Sequence, residues 1–255
     1  MTRLSTADLG TVLGVWAHPD DEAYLSAGLM ALARDAGQRV VCVSATHGER
    51  GTADPALWPP RRLGRLRAIE ARASLAALGV SEHHFLGYGD GTCAAQDAAG
   101  AVARLAAIVA DVAPDTIVTF GPDGLTGHSD HRTVSAWATA ARAAAAPGAR
   151  LLYATTTAAF ADRWHDLHER FEIFLEPGLP LRTPPEQLAL ELVLDGALAD
   201  RKLVALRAHA SQTAGLVAAL GEQRYRAWTA IEAFTLAAAA PDPLRAPAAA
   251  AAGAA

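Results

Sequence analysis

The sequence predicts an α/β fold: a mainly parallel sheet flanked by helices, with a less regular C-terminal part that forms one side of a cleft. Three observations lead there. Residues 11–16, 39–45 and 115–120 are short, continuous apolar runs of the kind buried on both faces of a parallel sheet. Segments between them carry apolar residues at helical spacing, such as Leu25, Leu29, Leu32 and Ala36. Strand and helix alternate, which implies right-handed crossovers.

At 255 residues the chain is long enough for one such domain with a full core. That domain is expected to occupy residues 1–236. Residues 237–255, alanine-rich with Pro241, Pro243 and Pro247, are expected to be a low-complexity, disordered tail. With 51% hydrophobic and 19% charged residues, the body should be globular. A net charge of -5 argues against a basic nucleic-acid surface. Cys42 and Cys93 lack Cys-x-x-Cys spacing, which disfavours a disulfide scaffold or a cysteine zinc site and fits a reducing cytoplasm. Residues 1–8 lack the layout of a secretion signal and the next apolar run is too short for a membrane span, so neither secretion nor membrane insertion is expected.

The first strand, residues 11–16, hands over to the first helix through Ala17-His18-Pro19-Asp20-Asp21-Glu22. Carboxyl ends of strands are where open α/β sheets place ligands. Zinc accepts histidine and carboxylate, and Pro19 fixes the backbone between them. A metal needs only one of the two adjacent carboxylates, which frees the other to act as a base; spacing does not decide which. The same acids would also complement a helix dipole. The second strand, 39–45, ends in the loop Thr46-His47-Gly48-Glu49-Arg50-Gly51-Thr52, read as a rim over the pocket. A helix over 62–78 follows, with Leu63, Leu66, Ile69, Ala73 and Leu78 on its period and Gly79 as its cap. Arg67 lies near its start, where a surface pairing with Glu70 or Glu82 would be worth little.

A third strand at 83–86 leads to Gly87-Tyr88-Gly89-Asp90-Gly91-Thr92. A dinucleotide site is not expected here, because Thr92 stands where a third glycine is needed and no helix opens; turn chemistry accounts for the glycines. Val102, Leu105, Ile108, Val109 and Val112 form a helix stripe that ends before Pro114. The fourth strand, 115–120, runs through a loop into Gly127-His128-Ser129-Asp130-His131. Both histidine clusters therefore fall on one sheet edge, where two imidazoles and a carboxylate suit a catalytic zinc with an open position. A helix through Val134, Trp137 and Ala141 and a fifth strand at 151–155 continue the Rossmann-like alternation.

Residues 158–194 are less regular, with strands expected at 171–174 and 191–194. His165 and His168 have the spacing of a metal pair but read as a solvated helix face. Leu203, Leu206 and His209 fall on a helix over 198–210, with His209 a hydrogen-bonded structural histidine rather than a ligand. A last helix is expected over 220–236, with Tyr225, Trp228 and Phe234 as core or pocket aromatics.

Taken together, His18-Pro19-Asp20-Asp21-Glu22 and His128-Ser129-Asp130-His131 resemble the LmbE-like (PIG-L) family of zinc-dependent N-acetylglucosaminyl deacetylases. The 46–52 loop, Arg67-x-x-Glu70 ahead of Leu78-Gly79, and His209-Ala210-Ser211-Gln212 agree with that pattern, so the resemblance spans about residues 12–212. It implies that His18, Asp21 and His131 hold zinc, with Asp20 the general base for the water that zinc activates. It implies that His128, made cationic with Asp130 as its carboxylate partner, stabilises the oxyanion formed from an acetamide. Arg67 and Asp90 would touch the substrate, a small amino-sugar conjugate. Iron(II) accepts the same ligands. The nearest alternative is a zinc deacylase acting on another acyl group, such as that of an antibiotic intermediate, which Trp58, Leu125 and Trp164 would suit if they lined the cleft. A non-catalytic metal- or ligand-binding module is a second alternative. Many such α/β enzymes associate, so a homo-oligomer is left open.

Overall fold

The structure, a computed structural model, describes residues 4–237. Apart from Ala237, the tail expected at residues 237–255 lies outside the described residues. The chain alternates β1 (Val12–Trp16), α1 (Asp21–Asp35), β2 (Val40–Thr46), α2 (Pro60–Ala77), β3 (Glu82–Tyr88), α3 (Ala98–Val112), β4 (Thr116–Phe120), α4 (Ser129–Ala145) and β5 (Arg150–Thr155). All residues of β1, β2 and β4 are buried, as their unbroken apolar runs require. Pro60 opens α2 at its first position and Gly79, at φ +78, follows its end. No helix among the described residues is long and apolar enough to cross a membrane.

The remaining elements are α5 (Ala158–Arg163), α6 (His165–Arg170), β6 (Leu188–Val193), α7 (Gly196–Ala208), α8 (Ala210–Leu220), α9 (Glu222–Trp228) and β7 (Ile231–Leu236). Seven strands form one sheet in the order β3-β2-β1-β4-β5-β7-β6. From β1 to β5 every neighbouring pair is parallel; β7 runs antiparallel to both β5 and β6. The chain builds outward from β1 through β2 to β3, then returns to lay β4 and β5 on the other side. The topological switch point therefore lies between β1 and β4, the position where sheets of this kind leave a crevice.

Two sequence-based elements differ. The helix expected over 220–236 stops at Trp228, and residues 231–236 are a strand instead. Glu232, Ala233 and Phe234 are buried one after another between two neighbouring strands, a tertiary placement that overrides local helical preference. Residues 171–174 form no strand. The Phe171 and Ile173 amides bond back to the Leu167 and His168 carbonyls, so the segment closes α6 rather than joining the sheet.

Val12, Leu13, Val15, Val41, Ile117 and Leu152 belong to the main core. A smaller apolar cluster includes Ala23, Trp164, Leu167, Leu206, Tyr225 and Trp228 and packs beside α1. Glu232 of β7 reaches into the middle of α1, accepting from the Gly28 and Leu29 amides at 2.7 and 2.9 Å. Lys202 Nζ donates to Glu232 at 2.7 Å and to the Tyr24 carbonyl at 2.7 Å. Gly28 lets this happen: a Cβ there would stand 2.5 Å from Leu194 Cδ2.

Candidate active site

His18 leaves β1 and Asp21 opens α1, while His128 and His131 stand at the start of α4 just beyond β4. The switch point thus brings the two clusters together. Asp20 caps α1 at φ 116, a conformation a residue with a Cβ adopts only when its surroundings impose it. Glu22 imposes it in part. Its Oε2 accepts the Asp20 N–H at 2.9 Å and its Oε1 meets His209 Nε2 at 2.8 Å. Although burial opposes both charges, each partner prevails: His209 is raised above, and Glu22 held below, its ordinary pKa. His209 is thereby the hydrogen-bonded interior histidine expected.

His18 Nδ1, Asp21 and His131 Nε2 converge. The two ring nitrogens are 3.2 Å apart, and Asp21 oxygens lie 3.6 and 3.4 Å from them. Ligands about 2.0–2.1 Å from a tetrahedral zinc stand about 3.3 Å from one another, so this spacing fits a zinc ion. The histidine tautomers fit as well. His131 Nδ1 donates to the Gly124 carbonyl at 3.0 Å, which leaves the Nε2 lone pair free. His18 Nε2 faces Asp90 Oδ1 at 3.1 Å and Asp130 Oδ2 at 3.4 Å, which leaves Nδ1 free. Burial disfavours a charge on His18, yet Asp130, Asp90 and Asp21 together push its pKa up to about 10. Three carboxylates around one imidazole make a strongly cation-seeking spot. Two groupings bring one ligand atom of each residue within 4.8 Å of the others, His18 with His128 and His131, and His18 with Asp90 and Asp130; around Asp21 the two histidine nitrogens face different carboxylate oxygens, Oδ2 and Oδ1. In the second grouping Asp130 already accepts from the Gly91 and Cys93 amides.

That arrangement corrects the role expected of Asp130. Its carboxylate turns to His18 and to the β3–α3 turn, at 2.7 and 3.0 Å from the Gly91 and Cys93 nitrogens. With His128 it shares only its backbone N–H, which donates to His128 Nδ1 at 3.2 Å. Burial, with His18 nearby, holds His128 below its ordinary pKa, which disfavours the cation, and with Nδ1 accepting the Asp130 N–H a neutral ring carries its proton on Nε2. The glycine-rich turn at 87–92 thus presents amides to the protein's own carboxylate, not to a nucleotide.

Arg67 is buried; its Nη2 stands 3.3 Å from Asp20 Oδ2 and donates to the Pro19 carbonyl, while Nη1 donates to the Gly48 carbonyl at 2.8 Å. It therefore pairs with neither Glu70 nor Glu82. Glu70 instead accepts from the Ser211 amide and hydroxyl, and Gln212 reaches the Gly51 carbonyl, so the 46–52 loop, α2 and α8 are joined around the site. Asp90 accepts the Arg50 N–H at 2.8 Å.

His18, Asp20, Asp21, Arg67, Asp90, His128 and His131 line a cavity of about 540 Å³. Leu125 is in its wall, whereas Trp58 stacks under Arg62 and Trp164 belongs to the small apolar cluster; neither is in the wall. The wall also holds Tyr24, Phe160, Ile173, Phe174 and Trp228, which periodicity alone did not single out as one group. His165 and His168 form no metal pair. His165 is exposed beside Glu169, and His168 is buried, not solvated, accepting the Trp228 indole N–H at 3.2 Å.

A family model described as PIG-L, GlcNAc-PI de-N-acetylase, matches residues 13–142. The chain is 33% identical over 229 residues to a 1D-myo-inositol 2-acetamido-2-deoxy-alpha-D-glucopyranoside deacetylase of Saccharomonospora viridis, covering 79% of this chain and 84% of that protein. Among solved structures, N,N'-diacetylchitobiose deacetylase of Pyrococcus horikoshii is similar at a TM-score of 0.59 and 22% identity, over 90% of this chain and 84% of that one. The 4-carboxy-2-hydroxymuconate hydratase of Pseudomonas putida is similar at 0.60 and 19%, over 94% and 100%. A deacetylase and a hydratase at nearly the same structural similarity show that the fold by itself does not fix the reaction.

Proposed function

The chain belongs to the PIG-L (LmbE-like) family, and on that premise we propose that it hydrolyses the N-acetyl amide of a small N-acetylglucosamine conjugate, releasing an amine and acetate. We read residues 1–236 as a single zinc hydrolase domain. The observation that carries the reading is the convergence of His18 Nδ1, Asp21 and His131 Nε2 at 3.2–3.6 Å, with Asp20 alongside. Zinc held by these three supplies a Lewis acid and makes water nucleophilic near neutral pH; iron(II) suits the same donors.

The chain's own groups account for the remaining chemistry. Burial raises Asp20 to about 6 and Arg67 limits the rise, so its carboxylate is ionised at neutral pH yet basic enough to take a proton from the attacking water. Held by Glu22 and Arg67, Asp20 has one orientation. His128 carries its proton on Nε2 and lines the cavity, and in this reading it donates to the developing oxyanion. The proton on Asp20 then passes to the leaving amine. His18 and His131 are fixed in the tautomers the metal needs by Asp90, Asp130 and Gly124.

The test is amine release from a panel of N-acetylglucosamine conjugates by metal-free protein, with and without Zn²⁺, and anaerobically with Fe²⁺. Metal-dependent release from one conjugate supports the reading. No release from any conjugate, with stoichiometric metal bound, overturns it.

A further inference from the structure

The cavity has two unlike ends with His18 and His131 between them. On the β2–β3 side its wall carries Arg50, Gly51, Arg67, Asp90, Gly91 and Gln212, a set rich in charges, amides and main-chain polar groups. On the β5–β7 side it carries Leu25, Phe160, Ile173, Phe174, Trp228 and Ile231. Phe160, Ile173 and Trp228 are part of, or pack against, the small apolar cluster, so this end is a built wall.

Most polar groups on the apolar side are already engaged, His168 Nδ1 being buried there without a hydrogen-bond partner. The hydroxyls of Thr155 and Thr156 bond to Thr183 and the Leu181 carbonyl, and Thr157 Oγ1 accepts the Phe160 amide. Glu232 is occupied by Lys202 and two α1 amides. His168 is pinned through Nε2 by the Trp228 indole, and burial lowers its pKa to about 4, so it brings no charge at neutral pH. This end offers a sugar's hydroxyls little that is free.

An amide at the metal must straddle both ends. Its nitrogen carries the sugar, whose hydroxyls need the polar wall, and its carbonyl carbon carries the acyl group, which is left facing the apolar wall. A single methyl covers little of a wall that carries Phe160, Ile173, Phe174 and Trp228. Resting on the proposed amide hydrolysis, we infer that the acyl site also takes chains longer than acetyl, seated on the β5–β7 side among Phe160, Ile173, Phe174 and Trp228, so that the activity extends from the N-acetyl amide to lipophilic N-acyl amino sugars. Water adds across the amide C–N bond, giving the free amine and the corresponding fatty acid.

The experiment uses the full chain loaded with zinc and two substrate series: N-acyl glucosamines from acetyl to decanoyl, and alkyl glycosides of N-acetylglucosamine from methyl to octyl. The expected result is a kcat/KM that rises about four-fold per added acyl methylene until the lobe is filled, with a flat glycoside series. Ile173→Asp and Phe174→Ala should each lower the octanoyl-to-acetyl ratio measured within the same variant preparation. Acetyl turnover with a flat or falling acyl series overturns this inference and leaves the proposed function standing. A rise confined to the glycoside series also overturns it, by placing the aglycone in the lobe. Release from neither series overturns both.

Discussion

The Arg67 guanidinium stands 3.3 Å from the Asp20 carboxylate and also donates, through Nη2 and Nη1, to the Pro19 and Gly48 carbonyls. Arg67 is thus placed to orient the base. Arg67→Lys keeps the charge but loses the planar fork. It should lower kcat by about 10²-fold through misplacement of Asp20, with KM little changed. A raised KM at constant kcat would instead return Arg67 to the substrate-gripping role that the family resemblance implies.

The two adjacent aspartates separate by geometry. Asp21 faces both histidine lone pairs, and Asp20 faces Arg67. Asp20→Asn should keep stoichiometric zinc and lose about 10²-fold or more in kcat, whereas Asp21→Asn should lose zinc. Metal analysis of the two purified variants decides it; the reverse pattern exchanges their roles.

His209 and Glu22 are buried together under the base. His209→Leu leaves the Glu22 charge without its partner and should cost about 3–5 kcal/mol of stability, read from the denaturant midpoint. Adding Glu22→Gln removes the orphaned charge while keeping an acceptor for the Asp20 amide, so the double variant should regain part of the loss. A single-variant loss below about 1 kcal/mol, the range of exposed pairs, would mean that the two do not form a buried ion pair.

Burial lowers His168 to about 4 from its ordinary 6.5. Between those values the unfolded chain binds a proton that the folded chain refuses, so the stability tied to His168 is complete above about 6.5 and falls as the pH drops toward 4. His168→Gln keeps an acceptor for Trp228 without the titration. Melting midpoints of the two proteins should converge from pH 7 to pH 4.5; a constant difference over that range would show that His168 is not buried in neutral form.

The clustering of His18, Asp21, His128 and His131 was legible because they sit in two short motifs at the ends of unbroken apolar strands, which strand–helix alternation puts on one edge of a parallel sheet. The Asp130 assignment went astray for a local reason. Residues two apart at a helix start point in different directions, so proximity in sequence to His128 did not make a side-chain pair. The apolar end was illegible because Phe160, Ile173 and Trp228 lie on separate elements and meet only through the small cluster. In the same way, residues 231–236 carry no breaker before them, and only the gap between β5 and β6 makes them a strand.

Glu232 anchors the helix that presents Asp20 and Asp21, although the proposed metal ligands and base all come from the first 131 residues. A ribosome therefore releases every one of those groups long before the residue that steadies them. Until β7 emerges, β6 lacks its only sheet neighbour among the described residues, and the Gly28 and Leu29 amides lack the carboxylate they meet in the finished protein. Full assembly of the centre is expected to wait for β7, and metal uptake by released chains truncated before and after β7 would report that dependence.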